Sequence, residues 1–227
     1  MTDPLRTISG FAEVLVETDP SPEERQEYTR HILDSSLRLA AMLQGLLAYA
    51  RADQSTGRAE ALELATVVNQ VRDDLAISIR EGKAELVVEL PAEATAVFEP
   101  SDLRVIFQNL ISNAIKFGDP QAPVVVVGAD RTGDSWLVTV RDNGAGIAAE
   151  DHARIFGAFE RGPSAEVQLG YGLGLAICQR LVERGGGRIG IDSDPGEGAS
   201  IWFTLPAAHH ASGADIAASA PPTSPAA

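Results

Sequence analysis

Apolar residues recur at helical spacing twice near the start of the chain. Over Asp3 to Thr18, Leu5, Ile8, Phe11, Val14 and Leu15 share one side of a predicted helix. The run Thr18-Asp19-Pro20-Ser21-Pro22 breaks it, and Pro22 with Glu23 and Glu24 suits a new helix N-terminus. From there to about Asp53, Tyr28, Ile32, Leu39, Met42, Leu46 and Ala50 follow a near-heptad stripe. Two such segments joined tightly predict an antiparallel hairpin. The second arm, about 32 residues or roughly 48 Å at 1.5 Å per residue, is about twice the first. The far part of its stripe, with Met42, Leu46 and Leu47, therefore needs cover from another chain, from the rest of this one, or from sequence preceding Met1.

A polar patch over Asp53 to Ala59 reads as a linker, and beyond it the periodicity alternates. Helical spacing covers about Ala65 to Arg80, Ser101 to Phe117 and Gly172 to Arg184. Strand patterns cover Ala84 to Leu90, Ala94 to Glu99, Pro123 to Asp130, Ser135 to Arg141, Arg188 to Asp192 and Ser200 to Leu205. This mixture predicts a layered α/β sandwich behind the hairpin, an α+β chain overall. From Ala207 the sequence is mostly Ala, Ser and Pro and is expected to be a disordered tail.

Composition narrows the picture. At 227 residues and 44% hydrophobic, the chain can bury a sizeable core. A net charge of −14 argues against a nucleic-acid partner, whose phosphates need clustered Lys and Arg. The single cysteine, Cys178, rules out internal disulfides and zinc clusters and sits in an apolar helical run as a packed thiol. No apolar run approaches the roughly 18 to 20 residues needed to span a bilayer, and no basic, hydrophobic leader is visible. The expectation is a cytoplasmic chain without membrane contact.

Three polar constellations carry chemistry. On the helix from Ser101, Asn109, Asn113 and Lys116 lie at i, i+4 and i+7, away from the apolar stripe of Leu103, Phe107, Leu110 and Ala114. Amide oxygens suit Mg²⁺, which leans on substrate phosphates, and a lysine one turn later neutralises phosphate charge. A solvated polar face is the alternative. Next, Asp142-Asn143-Gly144-Ala145-Gly146 follows a strand. Its glycines allow positive φ and close approach of backbone to a flat ring, and Asp142 can accept a hydrogen bond from an adenine amine. An Asn-Gly hairpin turn and a Rossmann loop compete for that stretch.

Finally, Gly170, Gly172 and Gly174 run directly into a helix whose positive end and free N–H groups form an anion site. A plain flexible loop is the competing reading. Ser164 to Leu169, just ahead, reads as a mobile lid. Phe156 and Phe159 read as core packing beside Arg161, and Gly196-Glu197-Gly198 as a tight turn. In this order the three constellations describe one ATP site without a P-loop.

At these residues the chain resembles a bacterial sensor histidine kinase, over about residues 3 to 206. The resemblance implies the Bergerat ATP-binding fold, shared with gyrase and MutL, beside a hairpin that dimerises into a four-helix bundle. It implies a hairpin domain over 1–56, an ATP-binding domain over 57–206 and a tail over 207–227. Asn113 and Asn109 would hold Mg²⁺ and phosphates, with Asn113 the principal metal ligand, and Lys116 would contact phosphate. Asp142 would read adenine, Gly144 and Gly146 would line its pocket, and Gly170, Gly172 and Gly174 would form the phosphate lid. Arg161 is a possible stabiliser of the transferring phosphoryl group. The implied activity moves the ATP γ-phosphoryl group to a protein histidine and onward to an aspartate of a response-regulator receiver domain. Where ATP-hydrolysing relatives carry a water-activating glutamate, this chain has Asn109, and an amide is no general base. Fast hydrolysis is therefore not expected.

The family's acceptor histidine opens a motif of the form H-[DE]-x-x-x-P-L, and Pro4-Leu5 matches its end. Met1 then falls two positions after the expected histidine, so a chain cut inside the motif or a late start site is expected ahead of a naturally acceptorless protein, and residues 1–227 are not expected to phosphorylate themselves. His31, His152, His209 and His210 do not sit where the family carries its acceptor. Asp3 stands where relatives often place Thr or Asn to position a water. An ionised carboxylate cannot donate that hydrogen bond, so the reverse phosphatase activity is not expected either. Two rival readings remain: a pseudokinase or adaptor that docks regulators, and an anti-sigma-type serine kinase, which shares the ATP fold but lacks the hairpin.

Overall fold

The computed structural model describes residues 4–52, 57–157 and 173–208, with residues 37, 38, 40–42 and 44–52 described in backbone only. The chain opens with α1 (Pro4–Glu17) and α2 (Pro22–Ala52), packed as the expected hairpin. A reciprocal capping box starts α2. The Glu24 N–H donates to Ser21 Oγ at 3.3 Å, and the Ser21 N–H donates to Glu24 Oε2 at 2.9 Å. Glu24 is held below its ordinary pKa mainly by that bond from the Ser21 N–H. Across the arms Phe11 stacks on Tyr28 and on His31, with ring centroids 5.3 and 4.8 Å apart. No residue of α1 is buried, and Leu5, Val14, Val16, Leu33 and Leu43 are exposed. The distal stripe residues Met42, Leu46, Leu47 and Ala50 lie outside the described side chains.

Behind the hairpin come β1 (Glu60–Glu63), α3 (Leu64–Asp74), α4 (Ala76–Glu81), β2 (Glu85–Glu89), β3 (Thr95–Phe98) and α5 (Pro100–Phe117). Then follow β4 (Val124–Thr132), β5 (Ser135–Asp142), two 3₁₀ turns, α6 (Gly174–Arg184), β6 (Ile189–Ser193) and β7 (Ala199–Pro206). Five strands form one sheet in the order β2-β4-β5-β7-β6, parallel only between β2 and β4, while β1 pairs antiparallel with β3. Alternate residues of the strands, such as Val125, Val127, Val138, Val140, Phe203 and Leu205, point to one face and are buried there. That face meets the apolar sides of α3, α5 and α6 in a single core. Phe107 of α5 and Phe203 of β7 meet edge to face at 5.7 Å in its middle.

Three local expectations need correction. Strand β1 lies between the expected linker, Asp53 to Ala59, and the expected helix from Ala65, where the sequence predicts no element. Glu-Ala-Leu-Glu has no β-branched signal, and only pairing with β3 makes it a strand. The single helix expected over Ala65 to Arg80 steps at Leu75, whose φ of −91° and ψ of 7° leave the helical region while its side chain stays buried. The tail begins later than Ala207. The Ala207 N–H donates to the Asp134 carbonyl at 2.9 Å and the Ala208 N–H to the Thr95 carbonyl at 2.8 Å. Among the described residues no helix is long and apolar enough to cross a membrane.

Candidate functional site

Helix α5 sets the site. Pro100 fits its first turn, and Glu99 caps it by accepting the Asp102 N–H at 2.7 Å. Burial alone would raise the Glu99 carboxyl, but hydrogen bonds from the Ser101 hydroxyl and the Asp102 N–H leave it lowered. One side of α5 (Leu103, Ile106, Phe107, Leu110, Ile111, Ala114) is buried in the core. Asn109, Asn113 and Lys116 are half-buried on another side. The Asn109 Nδ2 donates to the Val105 carbonyl at 2.9 Å, which turns Oδ1 away from its own helix and toward α6. A methyl group added at Gly174 would lie 2.8 Å from Asn109 Oδ1 and 3.7 Å from Asn113 Nδ2. Both amides thus converge on the first turn of α6, where the N-cap position is Leu173, whose side chain offers no capping hydrogen bond. The N–H groups of that turn face a cradle that only glycine leaves open. Lys116 lies over the Phe117 ring at 4.7 Å, at the same end of α5.

The second constellation abuts that end. A side chain at Gly144 would run into the Phe117 carbonyl, so the loop after β5 touches the end of the asparagine helix. Asp142 closes β5 and its Oδ1 accepts the N–H groups of Gly144 at 2.9 Å and Ala199 at 3.2 Å. Both of those bonds use the same oxygen, Oδ1. Gly146 has φ of 70° and lies against the Asp194 carbonyl, where a side chain would collide.

Burial pushes the Asp142 carboxyl above the ordinary aspartate range, against the pull of those two N–H groups. The folded chain therefore holds this proton to a higher pH than the unfolded chain. Through this group, stability falls as pH rises from the unfolded value through the folded one. Asp142→Asn keeps an oxygen for both N–H groups and has no proton to lose. Urea unfolding from about pH 4 to 7 should show the unsubstituted chain losing stability relative to the variant as pH rises. A difference that stays flat, or slopes the other way, would contradict this.

The fold removes two competing readings of the 142–146 stretch. Among the described residues after β5, 143–157 hold no strand that returns along it, so the Asn-Gly pair does not turn a hairpin. The sheet is antiparallel around β5, so no Rossmann βαβ unit exists there. Of the three glycines expected to form a phosphate lid, Gly174 is described and opens α6. Gly170, Gly172, Phe159, Arg161 and the stretch 164–169 lie outside the described residues, as do His209 and His210.

Phe156 is half-buried in a 3₁₀ turn, where the neighbouring Ile155 carries the packing. His152 Nε2 lies 3.1 Å from the Ile147 carbonyl, a contact that shapes the loop. Cys178 is fully buried, its thiol raised by burial and directed to the Ile106 carbonyl, as a packed thiol should be.

Four residues of the site's frame carry no sequence signal of their role. Asn143 accepts the N–H groups of Val124 (2.9 Å) and Asp119 (3.3 Å) and donates to the Ala122 carbonyl (2.9 Å), tying the loop after α5 to the loop after β5. Ser193 accepts the Ile147 N–H at 2.8 Å and donates to the Gly198 carbonyl at 2.7 Å. Gly198, at φ of 77°, lies against the Asp142 backbone, so the Gly196–Gly198 turn is a wall of the loop as well as a turn. Phe117 presents a part-exposed ring beside Gly144. Ser193 and Gly198 come some 50 residues after the motif they brace, too far for spacing to reveal them.

Comparison with known proteins adds the lineage. Residues 2–55 match the model of the His Kinase A (phospho-acceptor) domain, and residues 98–209 match that of the histidine kinase-, DNA gyrase B- and HSP90-like ATPases. Cyanobacterial phytochrome A of Nostoc sp. is 32% identical over 209 residues, covering 91% of this chain and 27% of that protein. Sensor histidine kinase AruS of Pseudomonas aeruginosa is 33% identical over 211 residues, covering 89% of this chain and 21% of that protein. The crystal structure of full-length ShkA in complex with AMPPNP superposes with a TM-score of 0.69 at 28% identity, over 91% of this chain and 44% of that one. The chain thus spans about a quarter of the length of the curated relatives it matches. With the phospho-acceptor model on its hairpin and the ATPase model on its α/β layer, in that order, the chain belongs to the sensor histidine kinase family.

Proposed function

We propose that residues 57–206 bind Mg·ATP and deliver its γ-phosphoryl group to a histidine on a hairpin of the kind formed by residues 1–56. The observation that carries this reading is the meeting of the Asn109 and Asn113 amides with the first turn of α6, beside the Asp142–Gly146 loop. Asn113 and Asn109 offer hard neutral oxygens in a cradle fit for a cation shared with phosphates, and the first-turn N–H groups of α6 offer donors to phosphate oxygens. A Mg²⁺ held by Asn113 and Asn109 would supply positive charge to offset that of the phosphates. Lys116 adds charge at that end, and the second oxygen of Asp142 accepts the adenine amine. In the transfer an imidazole nitrogen attacks the γ-phosphorus and ADP leaves with the bridging oxygen. Phosphohistidine then passes its phosphoryl group to a receiver aspartate of a response regulator. Asn109 keeps water from being activated in competition.

The uncovered apolar residues of α1 and α2 support a second copy of the hairpin as partner, closing a four-helix bundle. Residues 1–227 contain no histidine at the start of the acceptor motif, whose end is Pro4-Leu5. Incubated with γ-labelled ATP, this polypeptide should bind nucleotide and acquire no acid-labile label. The same polypeptide preceded by His-Asp should acquire it. Label on residues 1–227 themselves would refute the first expectation. Acid-stable phosphoserine on a protein substrate would favour the serine-kinase reading, and no nucleotide binding would favour the adaptor.

A further inference from the structure

Helices α5 and α6 run antiparallel, and three contacts mark their seam. At one end Arg184 Nη2 donates to Asp102 Oδ2; in the middle the Cys178 thiol meets the Ile106 carbonyl; at the other end Gly174 meets Asn109 and Asn113. From Asp102 to Asn109 is about 10 Å along α5 at 1.5 Å per residue. The rest of the seam is apolar, with Ile177, Leu181 and Val182 of α6 in the core. Apolar packing is non-directional and tolerates small slides along a helix axis. A charged hydrogen bond does not.

Asp102 is 8% exposed, and its backbone is itself fixed by the bond from its N–H to Glu99. The Arg184 side chain keeps more exposure than that of Asp102, so the pair is only partly buried. Such a pair is weak evidence for stability, because desolvation offsets the attraction, but fixing register is its best-attested use. This pair sits about two helical turns from Asn109 along α5, and nothing in the proposed transfer uses it.

We propose that Asp102 and Arg184 are positioning residues that set the axial register of α6 against α5. Through that register they set the distance between the first-turn N–H groups of α6 and the Asn109 and Asn113 amides. The proposal rests on the nucleotide-binding reading above. It makes a distinction that a merely structural pair does not. The adenine side of the site hangs on β5 and the turn before β7, whereas the phosphate side hangs on α6. Loss of register therefore weakens nucleotides in proportion to the phosphates they present.

The test measures binding of Mg·AMPPNP and of AMP to residues 1–227, unsubstituted and carrying Asp102→Asn, Arg184→Gln or Arg184→Lys, with folding checked by circular dichroism. Asp102→Asn and Arg184→Gln should weaken Mg·AMPPNP about tenfold and AMP less than about twofold. Arg184→Lys, which keeps the charge, should stay within about threefold of the unsubstituted chain for both. Equal losses on both nucleotides, no loss on either, or variants that fail to fold would overturn the proposal, the last by showing that the pair carries the fold instead. If the unsubstituted chain binds neither nucleotide, the nucleotide-binding reading itself fails and this one falls with it.

Discussion

Asn113→Ala is expected to weaken Mg·ATP binding roughly 100-fold while leaving the melting temperature within a degree or two. The magnitude follows from removing one ligand to a charged group, about 1.5–3 kcal/mol, or on the order of 10- to 150-fold in affinity. The small stability cost follows from its place on α5. Asn113 is half-buried away from the core face, its side chain makes no hydrogen bond to a described residue, and its amide faces Gly174. Alanine also has the higher helix propensity. Calorimetry with and without EDTA checks this directly. The unsubstituted chain should lose affinity when the cation is removed, and the variant should hardly respond. A variant within fivefold of the unsubstituted chain, still cation-dependent, would remove Asn113 from the metal and leave Asn109 as its ligand.

Phe107→Ala, six residues earlier on the same helix, is expected to do the opposite. Phe107 is fully buried and meets Phe203 edge to face, so its loss should cost about 3–5 kcal/mol. For an α/β layer of this size that corresponds to a fall in melting temperature on the order of ten degrees. Nucleotide affinity of the fraction that remains folded should change far less than in Asn113→Ala. Differential scanning calorimetry reads the first effect, and binding below the new transition reads the second. A melting point unchanged within two or three degrees would mean that the α5–sheet core is not where the stability resides.

The contrast between those two substitutions shows why so much of the site is legible in the primary structure. Helix α5 places its core and its chemistry at different phases of one 3.6-residue period, so Leu103, Phe107 and Leu110 separate cleanly from Asn109, Asn113 and Lys116. Its observed limits, Pro100–Phe117, differ from the expected ones by one residue, because Pro100 and Gly118 punctuate both ends. The strands β4 and β5 are equally plain, since both are rich in Val and Thr.

What the pattern conceals is held by pairing instead of composition. Glu60–Glu63 is a strand only because Phe98 to Thr95 lie opposite it. The step at Leu75 keeps its flanking hydrogen bonds, Leu75 N–H to Val71 and Ile79 N–H to Leu75, so apolar spacing runs through it unbroken. Ser193 looks like any strand-end serine until the fold brings Ile147 and Gly198 to either side of its hydroxyl. Gly144 is legible as a glycine needed for close approach, and the fold adds the Phe117 carbonyl as a surface it lies against.

Asn143 and Gly144 form the dipeptide most prone to cyclise and deamidate in an unstructured peptide, through attack of the glycine nitrogen on the asparagine carbonyl carbon. In the folded chain that nitrogen is already engaged with Asp142, and the asparagine amide is clamped by Val124, Asp119 and Ala122. The chemical lifetime of the loop is therefore set by how often it opens, so ageing at this position records unfolding events more than elapsed time.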